Sequence, residues 1–103
     1  MIGVVGLNYW GPNLARNFAD LGALSWLCDL DDERLAAAKA RHPDATATSS
    51  YDELLASDVA GVVIATDHHS IDYGALVDRA QLVVDLRNAT GKKGTESPNV
   101  FKL

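Results

Sequence analysis

Residues 4–18 read VVGLNYWGPNLARNF, and this stretch decides the fold. Two β-branched residues run into Gly6, Gly11 stands five residues later, and Pro12 comes directly after it. Residues 2–5 have the composition of a short, fully buried strand. Proline suits the first turn of a helix, where its missing N–H costs nothing. Leu14, Ala15, Phe18 and Leu21 then supply one apolar stripe, and Gly22 is placed to end the helix in a left-handed conformation. Strand, glycine turn and helix in this order form the outline of a dinucleotide-binding turn, with the pattern G-x-N-x-x-G in place of G-x-G-x-x-G.

Each position of that pattern has a physical task. Gly6 lets the chain leave the strand sharply, and Gly11 lets helix and strand pack closely. The middle position must bring a backbone amide near a pyrophosphate, often at positive φ. Asparagine enters that region more readily than most residues, so Asn8 is expected to preserve the cradle with weaker or slightly displaced binding. The helix N-terminus adds free N–H groups and partial positive charge.

The remaining chain repeats the alternation. Residues 23–30 (ALSWLCDL) read as a second strand ending in the acidic residue expected about 20 positions after the glycines, Asp29. Asp31 and Asp32 sit well at the start of a helix over residues 32–41. Residues 45–50 form a weak edge strand, and Ser50 with Glu53 forms a capping box ahead of a short helix. GVVIAT (residues 61–66) is the plainest buried strand. Ser70 is a candidate cap for a helix with Tyr73, Leu76, Val77 and Ala80 facing the core, and LVVDL (residues 82–86) is a fifth strand. The polar stretch after it reads as a loosely held tail. The expectation is therefore an α/β fold, a short Rossmann-like, doubly wound parallel sheet of five strands in order 3-2-1-4-5. A single nucleotide-binding domain would span residues 1–90, with a tail over residues 91–103.

Composition narrows the function. The 103 residues carry a net charge of −5, which argues against a nucleic-acid or anionic-membrane surface. No apolar run approaches the ~20 residues of a membrane span, and no leader pattern stands at the start, so a cytoplasmic location is expected. Cys28 is the single cysteine and lies inside a strand, where a small buried hydrophobe is expected rather than a nucleophile. His68 and His69 come after the fourth strand at its ligand-bearing end and are the local candidates for accepting a hydroxyl proton, but adjacent side chains diverge and make a poor metal site.

Over residues 1–66 the chain resembles the N-terminal domain of the Gfo/Idh/MocA oxidoreductases. YWGPNLARNF (9–18), CDLDDERL (28–35), YDELL (51–55) and VAGVVIAT (59–66) carry the resemblance in family order. It implies NAD or NADP binding, with cofactor roles for Gly6, Asn8, Tyr9, Trp10, Gly11, Asp29 and Thr66. Leu7, Leu30 and His68, their neighbours in the turn and past the strand ends, complete the candidate set. The Asp29 carboxylate would accept ribose hydroxyls and repel a 2′-phosphate, which favours NAD over NADP; Arg34 nearby keeps NADP open. The family continues into a Glu-Lys-Pro motif whose lysine serves catalysis. This chain has Asp67, His68 and His69 there and no Glu-Lys-Pro, so no catalytic residue is assigned.

From Val62 onward, VVIATDHHSIDYGALVDRAQLVVDLRNATGKKGTESPNVFKL resembles the C-terminal domain of UDP-glucose and UDP-N-acetylmannosamine dehydrogenases, on ATDH, VVD…RNAT and the NV-hydrophobic-KL ending. That resemblance implies a UDP-binding surface. Arg87, Asn88, Lys92 and Lys93 come after the fifth strand and are candidates for holding a phosphate. Two readings result: an NAD-binding oxidoreductase domain inactive without a substrate domain, or a non-catalytic nucleotide or UDP-sugar binding module. Apolar surface left bare by a missing second domain predicts a homodimer.

Overall fold

The structure is a computed structural model and describes residues 1–66 and 71–102. In chain order the elements are β1 (Ile2–Val5), α1 (Gly11–Asp20), β2 (Leu24–Cys28), α2 (Asp32–Arg41), β3 (Thr46–Thr48), α3 (Tyr51–Ala56), β4 (Gly61–Ile64), α4 (Tyr73–Arg79), β5 (Val83–Asp85), α5 (Gly91–Glu96) and β6 (Val100–Lys102). The strands form one parallel sheet in the order β3-β2-β1-β4-β5-β6.

The alternation of apolar strands with helices dictates this arrangement. Parallel strands need crossover helices, and right-handed crossovers place α1 and α2 on one face and α3 and α4 on the other. Val4 and Leu27 point to the first face and pack with Leu7, Ala15 and Ala38. Val5, Cys28, Val62, Ile64 and Val83 point to the opposite face and meet Leu54, Tyr73 and Leu76. Val5 lies in register with Cys28 on one side and Ile64 on the other, so β1 is the central strand at which the winding reverses.

Local chemistry sets the boundaries. Asp31 caps α2 by accepting the amides of Glu33 and Arg34, and Ser50 caps α3 by accepting the amide of Glu53. Gly22 takes φ +70° just past α1. The cap of α4 is Asp72, which accepts the Ala75 amide at 3.0 Å, rather than the expected Ser70, which lies outside the described residues. Leu21 drops out of the α1 stripe: it is the last residue of the turn and is exposed.

Six strands are present, not five. The expected tail over residues 91–103 contains α5 and an added edge strand, β6, with Val83 opposite Val100. Asn99 makes this possible, its side-chain amide donating to the carbonyls of Val77 at 2.8 Å and Ala80 at 2.9 Å at the end of α4. The Lys102 ammonium reaches back to Asn88 Oδ1 at 2.5 Å and the Gly91 carbonyl at 2.6 Å. Among the described residues no helix is long and apolar enough to cross a membrane.

Candidate functional site

The turn between β1 and α1 is built around two glycines that nothing larger can replace. Gly6 has φ +95°, and a Cβ there would lie 2.5 Å from Thr66 Cγ2, beyond the end of β4. A Cβ on Gly11 would fall onto the Gly6 carbonyl oxygen. The first turn of α1 is thus pulled against the end of β1, beside the crevice between β1 and β4 where open α/β sheets bind their ligands. No side chain caps α1, and its first turn holds no acidic residue. Its amide donors and partial positive charge are left for an external acceptor. Pro12 removes one of those donors but fixes the helical φ.

Asn8 departs from expectation. Gly6 takes the positive φ of the turn, and the one non-glycine residue with positive φ among those described is Asn88, at +54°. Asn8 stays on the ordinary side of the map and is exposed, so the sharp exit from the strand needs one left-handed residue, not two. Tyr9 and Trp10 come next, 78% and 55% exposed, with their rings edge to face at 5.8 Å.

Asp29 connects the turn to β2. It is only 7% exposed, and its Oδ2 accepts the Leu7 amide at 2.7 Å while Oδ1 accepts the Asp31 amide at 2.8 Å. Each oxygen keeps a further lone pair. Leu30 beside it is 42% exposed, whereas Leu7 is buried under α1. The Thr66 carbonyl accepts the Tyr73 hydroxyl at 2.9 Å, which anchors the end of β4 to α4. Gly6, Leu7, Asn8, Tyr9, Trp10, Gly11, Asp29, Leu30 and Thr66 are therefore gathered at the carboxyl ends of β1, β2 and β4. His68, the last member of the expected set, and His69 lie outside the described residues.

The solved structures of this fold include NAD(H)-bound dehydrogenases. The WlbA dehydrogenase of Bordetella pertussis, in complex with NADH and UDP-GlcNAcA, matches 93% of this chain at 24% identity and a TM-score of 0.74, over 31% of its own length. WlbA of Chromobacterium violaceum, with the same two ligands, matches 99% of the chain at 19% identity and a TM-score of 0.78, over 34% of its length. The UDP-N-acetylglucosamine 3-dehydrogenase GnnA of Acidithiobacillus ferrooxidans matches 86% at 26% identity and a TM-score of 0.72, over 29% of its length. The chain spans about a third of the length of these structures. No family model and no curated protein matches it.

Two further features emerge only from the folded chain. The first is Asp85 at the end of β5, fully buried, which accepts the amides of Arg87, Ala89 and Thr90 and the Thr90 hydroxyl. Burial alone would raise its pKa, but these bonds outweigh it and hold the carboxyl below its ordinary value. The other is a cleft of about 180 Å³ between α1 and α2, reached by Leu7, Pro12, Arg34 and Arg41. A larger depression of about 600 Å³ lies at the other end of the sheet, among Met1, Leu24 and Thr46 at the strand starts, far from the glycine turn.

Of the expected phosphate-holding side chains, Lys93 is paired with Asp78 at 2.9 Å, Lys92 with Glu96 at 3.8 Å, and Asn88 holds Lys102. Arg87 is exposed, with no ion-pair partner among the described residues. Cys28 is buried, and burial, followed by the charges of Asp29 and Glu53, pushes its thiol up to about 12, which suits a packing residue and not a nucleophile. No group of three metal-ligating side chains occurs among the described residues.

Proposed function

We propose that this chain is an NAD(H)-binding Rossmann domain of a sugar or nucleotide-sugar oxidoreductase type, which binds its cofactor but needs a substrate domain for turnover. The observation that carries the reading is the uncapped N-terminus of α1 drawn against β1 by Gly6 and Gly11. Uncompensated helix N-termini bind the phosphates of dinucleotides through their free amides. Asp29 fixes the turn through Leu7 and offers its remaining lone pairs to the adenosine ribose, while the negative charge opposes a 2′-phosphate. The exposed faces of Tyr9 and Trp10 flank the pyrophosphate, and Leu30 borders the adenosine. The similarity to dehydrogenases solved with NADH supports the same assignment.

A second reading, a module for UDP or a UDP-sugar, draws on the loop after β5. Asp85 holds that loop rigid at the ligand-bearing end and leaves the Arg87 guanidinium available for a phosphate. The two readings separate in one experiment, thermal unfolding with NADH, NADPH, UDP and UDP-glucose in parallel. A ligand at 100 times its dissociation constant adds roughly 2.7 kcal/mol of stability. Stabilisation by NADH supports the first reading; stabilisation by UDP and not by NADH replaces it with the second.

Self-association as a symmetric dimer is part of the proposal. Phe101 on β6 is 58% exposed and lies in register with Val84 of β5, which leaves apolar sheet surface at one edge. Sedimentation at tens of micromolar should give twice the chain mass, and monomer alone removes this element.

A further inference from the structure

We propose that the cleft between α1 and α2, next to the dinucleotide crevice and sharing Leu7 with it, is a second ligand site, for a small planar aromatic anion bearing a phosphate or a carboxylate. The basic residues of the chain fall into two sets. The five salt-bridging or carbonyl-bound cations of the described chain are spread over the surface: Arg79 on Asp52, Lys92 on Glu96, Lys93 on Asp78, Lys39 on the carbonyls of Pro43 and Ala45, and Lys102 on Asn88 and Gly91. The other four are arginines without such a partner among the described residues, and three of them, Arg16, Arg34 and Arg41, line this one cleft with its adjoining depression. No carboxylate lines either part. In a chain of net charge −5, three guanidinium groups without a carboxylate partner around one concavity make it a locally positive site, which an anion would balance.

The shape and floor narrow the ligand further. Arg34 and Arg41 stand seven residues apart on α2, about 10 Å along the helix. Between them the floor is apolar, made by Leu7, Pro12 and Ala38. An apolar floor under a cationic rim fits a flat ring carrying an anionic group, since guanidinium both stacks on rings and pairs with phosphate or carboxylate in a bidentate fork. The enclosed part, about 180 Å³, is below the roughly 300–1,000 Å³ of drug-sized sites, so it has room for one ring system and not for a peptide helix. The adjoining depression of about 410 Å³, reached by Asn13 and Arg16, opens the cleft for the anionic group. Leu7 gives the site a route to the turn, because its side chain lies on the cleft floor while its amide is held by Asp29.

The test uses 1-naphthyl phosphate as the probe, with 1-naphthol and inorganic phosphate as controls. Calorimetry gives affinities, and amide NMR shifts give the location. The expected result is binding of 1-naphthyl phosphate at least tenfold tighter than either control, with shifts at Ala37, Ala38 and Arg41. Arg41→Gln should weaken it about tenfold and Arg16→Gln with Arg41→Gln further still, at unchanged unfolding temperature, because neither guanidinium holds the fold together. Equal binding of 1-naphthol, affinity unaffected by both substitutions, or shifts confined to Gly6, Asn8 and Gly11 would each overturn the proposal.

Discussion

The Asp29 carboxylate and the Leu7 amide, 22 residues apart, meet at 2.7 Å in the buried seam between β2 and the glycine turn. An acidic residue at this position is ordinarily thought of as a ribose anchor. Here it first determines where the turn lies, because without it a buried N–H of that turn has no acceptor. Turn geometry and the proposed ribose contact thereby fall to a single side chain.

Both oxygens of that carboxylate accept backbone amides, from Leu7 and from Asp31. Asp29→Asn keeps the shape but turns an NH2 towards one of those donors, so it should destabilise the fold as much as Asp29→Ala, by about 1–3 kcal/mol. Both variants should also lose at least tenfold in NADH affinity. Urea midpoints and fluorescence titrations measure the two effects, and an Asn variant as stable as the parent would remove the structural role.

The conformation of Gly6 sets the cost of Gly6→Ala. At φ +95° with Thr66 Cγ2 at 2.5 Å from the new methyl, strain and overlap together should cost roughly 3 kcal/mol. Thr66→Ser removes that Cγ2 and should recover a small part of the loss in a double variant, leaving the φ strain and the overlap with the Cβ of residue 66, 2.6 Å away. Thermal unfolding of the two single variants and the double gives the coupling; strictly additive effects would mean that Gly6 and Thr66 do not meet.

Most of the framework was legible because it rests on periodicity and punctuation. The buried runs read at residues 2–5 and 61–66, the proline in the first turn of α1, Gly22 and the Ser50 cap each act within a few residues of themselves. The structure has strands at 2–5 and 61–64, and Ser50 accepts the Glu53 amide, but the other half of the expected capping box is replaced, the Ser50 amide donating to Thr48 Oγ1. The end of the chain was not legible. Helix α5 contains two glycines in six residues, β6 is three residues long, and both are held by contacts from afar, Asn99 to α4 and Lys102 to Gly91. Propensity and pattern carry no trace of such contacts. The same holds for the arginine cleft, since Arg16 and Arg41 are 25 residues apart and come together only when α1 and α2 pack on one face. Asn8 misled for another reason: the pattern says which position varies, and not which residue carries the positive φ.

Asp85 gives a pH prediction. Its carboxyl is held below the ordinary value of about 3.9, against the opposing effect of burial, by bonds from Thr90, Ala89 and Arg87. A group with a depressed folded pKa contributes stability that is fully present above its unfolded pKa and is lost as pH falls through the folded one. Stability should therefore be flat in this contribution down to about pH 4 and decline below it. Asp85→Asn should show a shallower decline, together with faster amide exchange at Ala89 and Thr90. An acid profile identical to that of the parent would show that the loop does not depend on this charge.

Trp10 gives an optical test of where the cofactor lies. Two tryptophans are present, Trp26 half-buried on β2 and Trp10 exposed at the start of α1. In a Trp26→Phe background, emission comes from Trp10 at the mouth of the proposed pyrophosphate cradle, paired edge to face with Tyr9. NADH bound there lies within energy-transfer range of the indole, so titration should quench the emission and saturate with the affinity measured by calorimetry. Acrylamide should reach Trp10 freely in the unbound protein, as its exposure requires, and less well once NADH is bound. Calorimetric NADH binding with unchanged Trp10 emission and unchanged acrylamide access would place the cofactor elsewhere on the sheet and remove the glycine turn from the site.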